Sequence, residues 1–201
     1  MAAQKKSLSA SERDEEVRAA WRVEVAALDA AAFVFVDESG THTSLTRLRA
    51  RAPRGARAVG VVPRNHGPNV TLFAALTPEG IGPALAMPGA ADGEAFGRSV
   101  RELLVPSLRP GQVVIMDQLT VHKGAAVREA IEAANCRLLL LPSYSPDFNP
   151  IEQAFAQVKA RLRRERLRTI DALWNAFGRS LDWVSPTHAE NYFRNAGYSP
   201  E

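Results

Sequence analysis

The spacing of apolar residues switches between helical and strand-like along the chain, and the switches mark out its elements. From Ser11 the spacing is helical, with Val17, Trp21, Val25 and Leu28 three or four positions apart on one expected inner face. Acidic residues come early in that stretch, where the helix dipole favours them. Phe33-Val34-Phe35-Val36 is different. A short unbroken apolar run, β-branched and aromatic, predicts a strand buried on both faces and ending at Asp37. Residues 39–69 are rich in Gly, Pro, Arg and His, and predict turns plus short strands, with one apolar patch from Ala58 to Val62. Val70–Leu76 and Ile81–Met87 flank Thr77-Pro78-Glu79-Gly80, which predicts a β-hairpin.

Beyond the hairpin, Phe96, Val100, Leu103 and Leu104 predict a helix ending near Pro106. Gln112–Met116 predicts a second buried strand, finishing at Asp117. A helix over Lys123–Ala134 then leads to a third strand over Arg137–Leu141. Strand, helix and strand at this spacing predict a right-handed parallel crossover. The turn-rich loop Pro142–Asn149 enters a helix with Pro150 at or near its first position, and with Ile151, Phe155, Val158 and Leu162 as its buried stripe. Two further helices are expected. One is Ile170–Val184, capped by Thr169, with Leu173, Phe177 and Leu181 inward; the other follows Ser185-Pro186 and reaches Phe193. Phe33, Trp174 and Phe177 read as core. The expected class is α/β: an antiparallel hairpin beside the first strand, two parallel strands beyond it, and helices on the faces.

With 201 residues, 46% of them hydrophobic and 23% charged, the chain suffices for one domain with short extensions, and wholesale disorder is excluded. The 25 Lys and Arg against 22 Asp and Glu give a net charge of +3 and a pI of 9.3, too mild to demand a polyanionic partner. One cysteine, Cys136, excludes a disulfide framework and a cysteine-based zinc site, and suits a reducing compartment. No apolar run has the length of a membrane span and the N-terminus lacks a signal-peptide core, so no membrane partner and a cytoplasmic location are expected.

Three acids occupy positions where such a fold places chemistry. Asp37 and Asp117 end apolar strands, and ligand sites in open α/β sheets lie beyond the carboxyl ends of strands. Glu152 falls in the first turn of the helix after the third strand. Carboxylates gathered together repel and raise each other's pKa, a cost that a divalent cation removes. Mg²⁺ prefers such hard oxygens, and three carboxylates suit two ions arranged for in-line displacement at phosphorus. Singly, each acid is better explained as a turn former, helix cap or dipole partner; together they favour catalysis. Glu38 points to the opposite face by strand alternation, and Asp147 reads as a turn former. Walker A, dinucleotide, nucleophile-elbow and His-Glu-x-x-His motifs are lacking.

Val36-Asp37-Glu38-Ser39-Gly40, Ala52-Pro53-Arg54-Gly55, Met116-Asp117 with His122-Lys123, and Leu141–Glu152 with its Ser143-Tyr144-Ser145-Pro146-Asp147-Phe148-Asn149-Pro150 core resemble the DDE catalytic domain of mariner-related bacterial insertion-sequence transposases. The 34 residues between Asp117 and Glu152 match the glutamate-ending branch of that family, and Asn191–Tyr198 resembles its closing motif. The resemblance implies a ribonuclease H-like fold, with residues 1–30 as a tail and amphipathic helix and 31–201 as the catalytic domain. It implies two Mg²⁺ ions, with Mn²⁺ as substitute, held by Asp37, Asp117 and Glu152. It also implies cleavage at mobile-element ends and joining of the freed 3′-hydroxyl to target DNA at a TA step, with no covalent enzyme intermediate. A homodimer on DNA, nucleoid association and an upstream helix-turn-helix product follow in the same way, because only about 30 residues precede the first strand, too few for such a domain. Another nuclease of the same fold and a non-catalytic DNA-binding fragment are the competing readings. Gln118 departs from the family's usual Asn after the second aspartate.

Lys159 and Arg163 lie seven and eleven positions past Glu152 on the same helix face, where phosphates flanking a scissile bond would meet them. Arg54 and Lys123 are further DNA-contact candidates, although a plain exposed loop is the better reading of Arg54. The resemblance implies a place near the active site for His122, which a helix cap explains equally, and Asn149 orients the loop or reaches DNA, an Asx turn explaining it as well. Arg161 and Arg168 read as solvated.

Overall fold

The computed structural model describes residues 10–47, 49–65, 67, 69–89, 92–118 and 125–199. Helix α1 (Glu15–Ala26) opens at Asp14, whose side chain accepts from the N–H groups of Glu16 and Val17. Five strands form one sheet: β1 (Phe33–Thr41), β2 (Val70–Thr77), β3 (Gly80–Pro88), β4 (Val113–Met116) and β5 (Arg137–Leu140), in the order β3-β2-β1-β4-β5. β1 runs antiparallel to β2 and parallel to β4, and β4 is parallel to β5. Gly80, at φ +129°, takes the hairpin through a turn that a side chain would strain. The remaining helices are α2 (Gly93–Ser99), α3 (Ala125–Ala133), α4 (Ile151–Glu165), α5 (Ile170–Ser180) and α6 (Pro186–Asn195). A single π turn over Val100–Leu104 prolongs α2, so the helix expected there ends in a looser winding.

β2 and β4 are buried on both faces, as unbroken apolar runs require, while β3 at the sheet edge is only partly covered. On one face Phe35, Ala74, Ile115 and Leu139 pack with Trp21 and Val25 of α1, Phe155 and Val158 of α4, Phe177 of α5 and Phe193 of α6. On the other, Val34, Phe73, Val114 and Met116 meet Phe96, Val100, Val127 and Ile131.

Four expectations are corrected. β1 continues through Asp37 to Thr41, because β2 pairs with it beyond the end of β4. Among the described residues of 42–69 there is no strand, and Val59 and Val61 are exposed rather than buried. In α1, Val17 faces solvent while Arg18, one step further round the helix, is buried. Trp174 is also exposed: Leu173 and Phe177 of the same helix take the core positions instead. The start of the helix expected from Lys123, with His122 before it, lies outside the described residues, as does His66.

Candidate active site

The register between β1 and β4 brings the first two acids together. Phe35 lies opposite Ile115, so Asp37, midway along β1, and Asp117, just past the end of β4, each two residues further on, carry side chains to the same sheet face. That face is the one covered by α4, because Phe35, Ile115 and Ile151 share one core. Glu152, in the first turn of α4, therefore reaches the same edge. Asp37, Asp117 and Glu152 line one cleft of about 300 Å³, with Gln118, Tyr144 and Asn149. Glu38 pairs with Phe73 of the opposite core, in keeping with its alternate parity.

Asp37 is strongly perturbed. Burial, more than anything else, pushes its carboxyl up to about 8, against the 2.8 Å hydrogen bond from the Glu38 N–H. The charges of Glu152 and Asp117 raise it further. The three acids thus sense one another. Among the described residues, however, no three His, Cys, Asp or Glu side chains are gathered closely enough to hold a metal ion by themselves. Mg²⁺ commonly takes one or two carboxylates and completes its shell with water and phosphate oxygens. Asn149 completes the cleft from the loop side. Its Nδ2 donates to Asp37 Oδ2 at 3.0 Å, while its buried Oδ1 has no hydrogen-bond partner, leaving an acceptor available to a water or cation. The chemistry of this donor set therefore fits a divalent cation.

The loop carrying Asn149 is fastened from outside. Arg18 reaches across from α1 and grips Asp147, Nη1 to Oδ1 at 3.1 Å and Nη2 to Oδ2 at 2.6 Å. Arg18 and Arg22 lie over the Phe148 ring at 3.8 and 3.7 Å, and Trp21 stacks on it. The Tyr198 hydroxyl donates to the Phe148 carbonyl at 2.7 Å. Gly197, at φ +88°, leaves the room Arg22 needs, since a Cβ there would meet its guanidinium at 2.7 Å. Asp147 is thus an anchor more than a turn former, a role hidden from sequence because its partner lies 129 residues away.

Of the described basic candidates, Lys159 senses the charges of Glu152 and Asp37, although neither it nor Arg163 lines the cleft. Burial lowers its pKa, Glu152 and Asp37 pull it up, and neighbouring Arg163 pushes it down. Arg163 is half-buried on the same helix. Arg54 lies in the exposed segment and does not line the cleft; Lys123 and His122 are outside the described residues. Arg161 and Arg168 are not simply solvated. Arg161 covers the Trp183 ring at 4.5 Å, and Arg168 Nη1 donates to the carbonyls of Thr43 and Leu45. Gln118 accepts from Ser143 Oγ at 3.1 Å, so this amide braces the loop.

Solved structures share this fold. The mariner Mos1 paired end complex with Mg superposes with a TM-score of 0.76 at 16% identity, over 100% of this chain and 64% of that one. A pre-cleavage Mos1 transpososome gives 0.74 at 15% identity, over 98% and 63%. The Mos1 transposase catalytic domain with Raltegravir and Mn gives 0.62 at 16% identity, over 90% and 82%. At these identities the likeness is one of fold, the ribonuclease H-like fold. The chain spans less than two thirds of the length of the first two. No curated protein matches the sequence. The DDE superfamily endonuclease profile matches residues 32–174, from the start of β1 into α5 and across all three acids. With most of its length matched, the chain belongs to the DDE superfamily endonuclease family.

Proposed function

We propose that this chain is the catalytic domain of a metal-dependent DNA transposase, with Asp37, Asp117 and Glu152 as the ligands of two Mg²⁺ ions, or Mn²⁺ in their place. The observation that carries the reading is the strand register that sends Asp37 and Asp117 to one sheet face, opposite the first turn of α4. Membership of the endonuclease family and the fold shared with Mos1 complexes support it.

When bound, the ions supply Lewis acidity for in-line displacement at a phosphodiester. The chain's own groups hold and orient. Asn149 fixes one oxygen of Asp37 and the Glu38 N–H the other, leaving their remaining lone pairs toward the cleft. Lys159 and Arg163 meet phosphates flanking the scissile bond, and Arg54 and Lys123 extend that contact. Hydrolysis breaks the bond from phosphorus to the 3′-oxygen at an element end, leaving a 3′-hydroxyl. In joining, that hydroxyl displaces a 3′-oxygen of the target at a TA step, exchanging one phosphodiester for another. Residues 31–201 form the catalytic unit, and α1, within residues 1–30, packs on its core and braces its loop. The chain acts as a homodimer on DNA with an upstream helix-turn-helix product, in a bacterial cytoplasm at the nucleoid. No described helix is long and apolar enough to cross a membrane.

Glu152→Gln, Asp117→Asn and Asp37→Asn are each expected to abolish Mg²⁺-dependent cleavage of element-end DNA while the circular dichroism spectrum is unchanged. Activity surviving the triple substitution defeats the assignment. Hydrolysis without strand transfer by the parent protein makes it a different nuclease of the same fold.

A further inference from the structure

Among the described residues, three other than glycine have positive φ: Asn135 at 55°, Tyr144 at 55° and Arg166 at 53°. Asn135 follows α3 and Arg166 caps α4, and a left-handed residue is a common way to close a helix. Tyr144 closes none, since β5 precedes it. For a bulky side chain this backbone is costly, whereas glycine would adopt it freely. The conformation is held from both sides. Ser143 Oγ donates to Gln118, Ser145 Oγ donates to the Ser143 carbonyl at 3.2 Å, and the Phe148 N–H donates to the Ser145 carbonyl at 3.0 Å.

Packing gives nothing back for the strain, because Tyr144 is 56% exposed while Pro142 and Ser145 beside it are buried. The residue nevertheless lines the cleft that contains Asp37, Asp117 and Glu152. A loop braced into an unfavourable turn in order to hold an aromatic ring in water, at the rim of a catalytic cleft, has the character of a substrate contact. We propose that Tyr144 is a stacking platform for an unpaired nucleobase, the base attached to the phosphate that the acids receive. This rests on the DNA-processing reading above and adds to it a requirement: the duplex must be opened beside the scissile bond. Stacking uses the π face that every base has, so the contact tolerates sequence and needs the ring, not the hydroxyl.

The 201-residue protein is titrated at low salt, with Ca²⁺ replacing Mg²⁺, into a DNA duplex whose unpaired end carries 2-aminopurine. The parent protein, Tyr144→Phe and Tyr144→Trp are expected to quench the fluorescence alike. Tyr144→Ala and Tyr144→Gly are expected to lose the quench and bind about tenfold more weakly, the size of one lost base–aromatic stack. Tyr144→Gly is also expected to melt at a higher temperature than the parent, since it relieves the backbone, so weaker binding coincides with greater stability. A structural role would move both the same way. Quenching and affinity in Tyr144→Ala equal to those of a DNA-binding parent overturn the stacking role alone, and a lower melting temperature for Tyr144→Gly overturns the strain argument. A parent protein that binds no DNA overturns the transposase reading and the platform with it.

Discussion

Two long irregular segments leave the sheet, and they are built in opposite ways. The loop over 141–150 is held by side chains from both ends of the sequence. Arg18, Trp21 and Arg22 of α1 close on Asp147 and Phe148, and Tyr198, beyond α6, pins the Phe148 carbonyl. The segment over 42–69 is tied near its start by Arg168, but further along Val59 and Val61 stand 85% and 90% exposed. Both are rich in turn formers, so local composition does not distinguish them. What separates them is whether distant groups supply the order that a loop cannot generate from its own backbone. The segment beside the acids receives that help. A carboxylate that must present an oxygen to within a fraction of an ångström needs it.

The sharpest way to break this contrast is Phe148→Ala. It removes the ring beneath two guanidinium groups and beside Trp21, and is expected to cost about 3–5 kcal/mol in urea denaturation. A loss under 1 kcal/mol would mean that the loop is ordered by something else. Arg18→Met comes next. It keeps the alkyl packing but removes the grip on Asp147, at an expected cost of about 1–3 kcal/mol, toward the low end because Asp147 is half exposed and rehydrates. Burial would raise the Asp147 carboxyl, but the hydrogen bond and charge of Arg18 outweigh it and hold it below its ordinary 3.8. The stabilisation is therefore present above that ordinary value and lost as pH falls through the lowered one. Arg18→Met should flatten the acid limb of the stability–pH curve, and an unaltered limb would show the pair to be inert. The smallest effect belongs to the other segment. Val61→Ser should change stability by no more than about 0.5 kcal/mol, and a larger loss would reveal hidden packing there.

Much of this architecture is legible in the sequence, because unbroken apolar runs such as Phe33–Val36 and Val113–Met116 read as interior strands, and the acids that follow those runs are found by counting. The hairpin is equally readable from Thr77-Pro78-Glu79-Gly80. What is not legible depends on partners far along the chain. Periodicity places Val17 inside and ignores Arg18, because no apolarity pattern anticipates a guanidinium that stacks on one ring and pairs with one carboxylate. Trp174 reads as core for the converse reason: its apolarity is certain, but its helix has two better-placed residues for the interior. Arg161 and Arg168 look like solvated charge until Trp183 and the Thr43 carbonyl are in place. Tyr144 left no composition signal, since only its backbone angle sets it apart.

The pairing of Phe35 with Ile115 also governs which length changes the gene can tolerate. One codon gained or lost between Phe35 and Asp37, or between Ile115 and Asp117, would turn that carboxylate into the opposite layer, among Val36, Phe73 and Met116, and separate it from its companion. Insertions in the loops carry no such parity rule, and the stretch around Val59 and Val61 could absorb several. Reading frames that vary freely there, yet never by a single residue ahead of either aspartate, would be the genomic trace of that alignment.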